Sequence, residues 1–394
     1  MKIKKNKITF FTSICLIFLL LNFLLNINVY ATTENEIFQS NSSDLTIYEP
    51  EKIQTRATQM SNIAGKEYFI KNRYTGQYLD VAGGVAADRT NVQQYKYNGT
   101  DSQRWYIKDN GDSTISIYTR LGNNGTYQYA LDINDGSPDN YANVQIYKIN
   151  GTDAQKFKLG INSYQTFGFL TKVSNYSKAV VLNGPTCDQG RNVDQYTYQG
   201  HINEHWILEP VNPNVNLGVE YAQKNYNKYV EAYPDCRDIG GDCANFVSQC
   251  MLAGGGVHYQ NDWYTYRKNN NYYKPSNIDQ LNNTWELADP SPWISAKYFG
   301  KYWKDHVTYH YYKTDKILEN PSLAWNLNIT KGDVVQVADS FLGFLGDAEH
   351  TMYITDYQNN TYILTYHSNE TQAKSLLDIC RAYPNQYLIF YEMI

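Results

Sequence analysis

The segment Gly240-Gly241-Asp242-Cys243-Ala244-Asn245-Phe246-Val247-Ser248-Gln249-Cys250 holds the residue types most suited to covalent chemistry. Two glycines break the chain, Asp242 suits an N-cap, Ala244 to Ala253 is helix-compatible, and Gly254 to Gly256 end the run. Cys243 therefore falls at a helix N-terminus. There the macrodipole and the free backbone N–H groups favour thiolate over thiol, and the same amides suit a developing oxyanion. On position alone Cys243 is either a nucleophile or a buried structural thiol. Cys250, seven residues on and deeper among Phe246, Val247, Met251 and Leu252, reads as a core thiol. Cys236 fits either role.

A nucleophilic thiol needs a base. Three strand-like runs lie downstream: Lys331 to Val337, Glu349 to Asp356, and Tyr362 to Asn369, the last two joined by an Asn359-Asn360 turn. His350 opens the second and can face the helix start. A polar residue at the end of the third would fix its tautomer, with His367 the first choice and Asn369 the second. His258, His306 and His310 have no such context.

The elements that must position these residues begin beyond Pro210 and Pro213, which mark a linker. Gly218 to Tyr233 carries Val219, Ala222, Tyr226, Tyr229, Val230 and Tyr233 on one helical stripe, ended by Pro234. Five of the seven tryptophans lie in this half, which predicts a separate domain with its own core. The upstream half repeats itself. Ala130-Leu131-Asp132-Ile133, Asn143-Val144-Gln145-Ile146-Tyr147 and Gln155-Lys156-Phe157 echo Tyr78-Leu79-Asp80-Val81, Asn91-Val92-Gln93-Gln94-Tyr95 and Gln103-Arg104-Trp105. A third copy runs through Val181-Leu182-Asn183, Asn192-Val193-Asp194-Gln195-Tyr196 and Glu204-His205-Trp206. Three units of about fifty residues, each burying one aromatic, predict a threefold closed β architecture.

That pattern resembles the ricin-type lectin domain, a β-trefoil with a Q-x-W signature in each lobe, over residues 63 to 210. The resemblance makes Trp105, Phe157 and Trp206 core residues. It places sugar-binding groups at Asp80, Gln93, Tyr95 and Gln103 in lobe one, and at Asp132, Gln145, Tyr147 and Gln155 in lobe two. A carboxylate accepts from sugar hydroxyls, amides both donate and accept, and a ring covers the apolar sugar face. Lobe three has Val181 or Asn183 where the Asp belongs and Asp194 in place of the Gln, so the usual binding set is missing there.

D-C-A-N-F-V-S-Q-C, Pro292-Trp293, K-G-D-V-V-Q and H-T-x-Y-I-T-D together resemble the putative amidase domain family over residues 217 to 394. That family is similar to the papain-like group that includes NlpC-type and CHAP peptidoglycan hydrolases. The resemblance implies an α+β papain-like fold, Cys243 as nucleophile and His350 as general base, with His367 in the third place.

The ends and the composition bound the rest. Lys2, Lys4, Lys5 and Lys7, the apolar run Ile8 to Val29 and the triplet Val29-Tyr30-Ala31 read as a cleaved signal peptide over 1 to 31, hence a secreted or cell-wall-associated protein with no stable membrane insertion. Residues 32 to 62 read as a flexible spacer. A net charge of −5 with no basic run beyond the extreme N-terminus argues against nucleic acid as a partner. Five cysteines in the mature chain, widely spaced and without C-x-x-C, argue against a disulfide framework and a zinc site; no metal or cofactor is implied. The expected chain is thus multidomain, an all-β trefoil and then an α+β domain. Its partners are a carbohydrate and a peptide amide, and its function is cysteine amidase or peptidase action on cell-wall or glycan-linked peptides. Acyl transfer to an amine, and a lectin-like adhesin or toxin with a silent amidase domain, stay open beside hydrolysis.

Overall fold

The structure, a computed structural model, describes residues 63–162, 166–184, 186–339 and 348–393. The expected signal peptide and spacer lie outside these residues. Among the described residues no helix is long and apolar enough to cross a membrane.

Twelve short strands fill the first half: β1 (Lys66–Asn72), β2 (Tyr78–Val81), β3 (Thr90–Tyr95), β4 (Arg104–Asp109), β5 (Ile115–Thr119), β6 (Tyr129–Ile133), β7 (Val144–Lys148), β8 (Phe157–Ile161), β9 (Phe167–Thr171), β10 (Lys178–Leu182), β11 (Val193–Thr197) and β12 (Trp206–Pro210). All pairings are antiparallel, and β1–β4, β5–β8 and β8–β9 contacts close the path upon itself. The three copies share one cross-strand register: Asp80 faces Gln93, Asp132 faces Gln145, and Val181 faces Asp194. Trp105, Phe157 and Trp206 are fully buried in one shared core with Leu79, Val92, Leu131 and Val144. Both indole N–H groups find carbonyls, Leu79 O at 2.9 Å and Val180 O at 3.0 Å, so the core tryptophans leave no orphaned donor.

The second half mixes helices and strands. Its helices are α1 (Val215–Asn225), α2 (Cys243–Gly254), α3 (Ile278–Thr284), α4 (Ala296–Trp303), α5 (Thr314–Glu319), α6 (Ser322–Trp325) and α7 (Leu376–Ala382). A two-stranded piece, β13 (Tyr266–Arg267) with β14 (Trp285–Glu286), precedes the main sheet. That sheet contains β15 (Tyr309–Lys313), β16 (Val334–Ala338), β17 (Ala348–Gln358), β18 (Thr361–Tyr366), β19 (Thr371–Ser375) and β20 (Tyr387–Tyr391), in the antiparallel order β15-β20-β16-β17-β18-β19. Asn359 and Asn360 both take positive φ, 49° and 58°, in the tight β17–β18 turn.

One expectation is corrected. The helix predicted from Gly218 to Tyr233 ends at Asn225, although Val230 and Tyr233 are buried as its stripe implied. The Asn225 side chain donates back to Tyr221 O at 3.0 Å, and its own carbonyl accepts from Lys228 N in a tighter turn and from His367 Nε2, each at 2.9 Å, in place of the next bond of the ladder. The second half has a core cluster of its own, around Ile317, Val335, Met352, Leu364 and Phe390, and shares a further one with the trefoil. Phe69, Tyr78 and Ile207 of the trefoil share one apolar cluster with Tyr233, Phe246, Met251, Tyr259 and Trp293. At this boundary Lys71, paired within the trefoil to Glu209 at 2.5 Å with both side chains buried, reaches across to the Tyr233 and Tyr259 hydroxyls, which accept from the ammonium at 3.2 Å each. Arg73 pairs with Glu231, Lys96 with Glu286 at 2.7 Å, and the Tyr266 hydroxyl accepts from Tyr97 N at 3.0 Å.

Candidate active site

Gly240 and Gly241 sit at φ 118° and 108°, in the left-handed region that side chains avoid, and this sharp turn delivers Cys243 to the first position of α2. The sulfur is almost fully buried, and burial pushes the thiol up from its ordinary value. Hydrogen bonding from the backbone N–H groups of Thr351 and Ala244 and from the Thr351 side chain works the other way, whereas the neighbouring Asp242 carboxylate adds to the rise. The low thiol value expected from the helix N-terminus alone is therefore offset by burial. The resting sulfur is a thiol with donors already aimed at it.

Thr351, which donates to the Cys243 sulfur, lies on β17 directly after His350, with adjacent Cα atoms about 3.8 Å apart. Thr351 Oγ1 accepts from Gln336 Nε2 at 2.8 Å on β16. His350 faces Val337 in the register and packs edge-on against Tyr366 at 4.5 Å, largely buried. Burial pulls its imidazole down to about 4, so at neutral pH it is the uncharged form, which accepts a proton. Tyr383, just beyond α7, lies within electrostatic reach of Cys243, Tyr366 and Glu349, and nothing in its sequence context marked it.

His367 does not take the place expected of it. Its Nδ1 lies 2.6 Å from Asp242 Oδ2 and its Nε2 2.9 Å from Asn225 O, and the ring stacks on Phe246 at 3.9 Å. With both nitrogens committed, it cannot orient His350. Asn369 is exposed in the turn after β18. Asp242, expected to cap α2 with its side chain, makes no such bond. Its Oδ1 accepts instead from Cys236 N at 2.9 Å and Asn245 Nδ2 at 2.8 Å. The Pro292-Trp293 element enters the same framework, because Trp293 Nε1 donates to Asn245 Oδ1 at 2.8 Å. Cys250 is fully buried, as expected of a core thiol, and Cys187, Cys236, Cys243, Cys250 and Cys380 are all free.

In the trefoil the carboxylate–amide pairs form. Gln93 Nε2 donates to Asp80 Oδ1, and Gln145 Nε2 to Asp132 Oδ1, each at 3.0 Å. Burial raises both carboxyls, and these amides oppose the rise. Tyr95 and Tyr147 stay half-exposed two residues on. Gln103 and Gln155 are corrected from sugar contacts to internal braces. Gln155 is buried, donates to Asp132 Oδ2 at 3.1 Å and Lys148 O at 2.9 Å, and accepts from Asn150 N at 2.9 Å. Gln103 likewise spans Lys96 O at 2.8 Å and Asn98 N at 2.9 Å. In lobe three Asn183 donates to Asp194, and burial lifts that carboxyl to about 6.

Comparison with known proteins assigns both halves. Residues 57–147 match the family described as ricin-type beta-trefoil lectin domain-like, and residues 212–391 match the one described as putative amidase domain. The chain thus carries a ricin B-type lectin domain followed by a putative amidase domain, a domain of helices and strands. The lectin match ends at Tyr147, before lobe three. Among solved structures, a designed 3-fold symmetric protein, ThreeFoil, is 31% identical over 36% of this chain and 96% of that one, with a TM-score of 0.33. The Rhizoctonia solani agglutinin is 25% identical over 36% and 93%, with a TM-score of 0.30. A Macrolepiota procera ricin B-like lectin solved with lactose is 19% identical over 37% and 95%, with a TM-score of 0.29. No curated protein matches the chain.

Proposed function

We propose that this protein is a secreted, glycan-binding cysteine amidase that cleaves amide bonds in cell-wall or glycan-linked peptides. The observation that carries the reading is the placement of Cys243 at the start of α2, with the N–H groups of Ala244 and Thr351 directed at its sulfur and the uncharged His350 next to Thr351 on β17. His350 takes the thiol proton as the sulfur attacks the amide carbon. The carbonyl oxygen becomes an oxyanion that nearby backbone N–H groups are suited to hold, and His350 returns the proton to the departing amine. Water then releases the acyl group from sulfur with His350 again as base. Lobes one and two hold sugar through the Asp80–Gln93 and Asp132–Gln145 pairs with Tyr95 and Tyr147, which raises the local concentration of the linked peptide.

The test is iodoacetamide labelling of the full chain followed by peptide mapping, comparing wild type with His350→Ala, and then cell-wall fragments as substrates. Labelling of Cys243 well ahead of Cys250, slowed in the variant, supports the amidase. A Cys243 as inert as Cys250 leaves glycan binding as the main activity.

A further inference from the structure

We propose that His367 is a positioning residue for Cys243, acting through Asp242: it clamps and neutralises the carboxylate that precedes the sulfur in the chain. The inference rests on Cys243 being the nucleophile and goes beyond it by assigning a second histidine a role other than base.

The geometry is that of a closed clamp. His367 presents a nitrogen to each of two oxygens, Asp242 Oδ2 and Asn225 O, on two different helix ends. A carboxylate and a carbonyl both accept, so the trio must hold a proton on each of its two contacts, and the cluster as a whole carries no net charge. The ring is fixed in place by Phe246 at 3.9 Å on one side and Tyr229 at 4.7 Å on the other. The backbone just past it is strained, with Ser368 at φ 87° and Glu370 at 48°. Asp242 spends its other oxygen on Cys236 N and Asn245 Nδ2, so its carboxylate joins the turn before α2, the first turn of α2 and the end of β18. Cys243 is the next residue. Left unneutralised, a buried negative charge there disfavours thiolate, the direction in which Asp242 already acts.

Other charged groups near the clamp are already matched or uncharged. Arg237 is held by Asp235 at 2.6 Å and lies 3.6 Å from the centre of the Tyr229 ring. Glu370 acts on Tyr229, and Tyr221 and Cys236 are buried groups pushed far above their ordinary values. On the side of the sulfur stand Thr351, His350 and Tyr383.

The experiment is the pH dependence of Cys243 alkylation, with thermal stability alongside, in wild type, His367→Gln, Asp242→Asn and the double variant. In His367→Gln the carboxylate stays without its neutralising partner, and the alkylation midpoint is expected to rise by about 1 pH unit or more. The double variant removes that charge and is expected to return the midpoint to the wild-type value and to recover most of the lost stability. Asp242→Asn alone is expected to leave the midpoint in place or to lower it, because the carboxylate raises the thiol in the wild type. A merely structural histidine would lower stability in the single and double variants alike and move no midpoint, which overturns the proposal. An upward midpoint in Asp242→Asn also overturns it. If His367→Gln does not fold and the double does, the coupling stands; if neither folds, His367 acts elsewhere and the proposal falls. A wild-type thiol inert at every pH sinks the nucleophile reading instead, and the stability comparison still decides whether His367 acts through Asp242.

Discussion

Replacing Lys71 with Met should be among the most damaging single changes available in the trefoil, although Lys71 is far in sequence from Cys243. The ammonium is fully buried against Glu209, and burial pulls it below its ordinary value while Glu209 holds it up. Lys71→Met keeps the length and the apolar stem but strands Glu209, also fully buried, with only the Tyr78 hydroxyl at 2.8 Å to donate to it. Breaking a buried pair from one side costs about 3–5 kcal/mol. At about 2 °C per kcal/mol for a chain of this size, Tm should fall by about 6–10 °C. Lys71→Met/Glu209→Gln removes the stranded charge yet still accepts from Tyr78, and it should regain about half of that loss. Thermal unfolding followed by circular dichroism at neutral pH reads both numbers. Because the pair is shielded from solvent, adding 0.5 M salt should leave the gap between variant and wild type unchanged. A loss below about 1 kcal/mol, or a double variant no better than the single, would refute the view that this buried trefoil charge pair, covered by Tyr233 and Tyr259 of the second half, stabilises the fold.

Three further outcomes follow from the site and the lobes. His350 is held near 4 in the folded chain, below the 6.5 of a free imidazole. The unfolded state therefore binds the extra proton first, and stability should fall as pH drops from 6.5 toward 4, by about 3 kcal/mol in full. His205, pulled down to about 3 by burial and by Arg73, adds to the same acid slope; urea unfolding at pH 7 and pH 4.5 in wild type and His350→Gln separates the His350 share, and equal slopes would count against it. In lobe two, Tyr147→Ala should weaken glycan retention, and Tyr95→Ala/Tyr147→Ala should abolish it, with little change in Tm. Gln155→Ala should cost about 1–3 kcal/mol because four internal bonds lose their partner, and calorimetry with glycan-column retention distinguishes them. Trp293→Phe should slow Cys243 alkylation modestly, since Asn245 loses its indole donor beside Asp242, and an unchanged rate would argue that this part of the framework is dispensable.

Much of this architecture is legible in the sequence, because repetition and period carry strong local signals. The three aromatic landmarks sit at matching core positions, and the Asp–Gln pairs fall in register because the hairpins that hold them are repeats of one another. The turn glycines and the apolar run fixed α2 to within a residue of its observed start. What could not be read locally is partner choice between distant segments. Nothing near His367 says that it will meet Asp242 instead of His350, because the meeting depends on where α1 stops. The packing across the boundary is hidden for a similar reason: Phe69 and Tyr78 alternate as ordinary strand residues, and only the assembled chain shows that they share a cluster with Tyr233 and Tyr259. Gln103 and Gln155 carry the same amide whether they touch a sugar or a loop backbone. The adjoining Asn-Gly-Thr-Asp turns were the available hint, since such turns leave backbone N–H groups in need of an acceptor.

The shared apolar cluster also bears on how such a chain can be recombined. Lectin modules are attractive parts to exchange when a hydrolase is to be redirected to a new surface, and Pro210 to Asn216 looks like the natural place to cut. Gly255 and Gly256 pack so closely on Pro210 and Pro213 that even a methyl group there would collide. A graft made at that seam would expose Tyr259 and Trp293 and strand Glu231, so a donor lectin would have to bring counterparts of Phe69, Lys71, Arg73 and Tyr78 with it. The transferable unit is the described pair of halves together, and retargeting is better sought by changing the half-exposed rims around Tyr95 and Tyr147 than by exchanging the module.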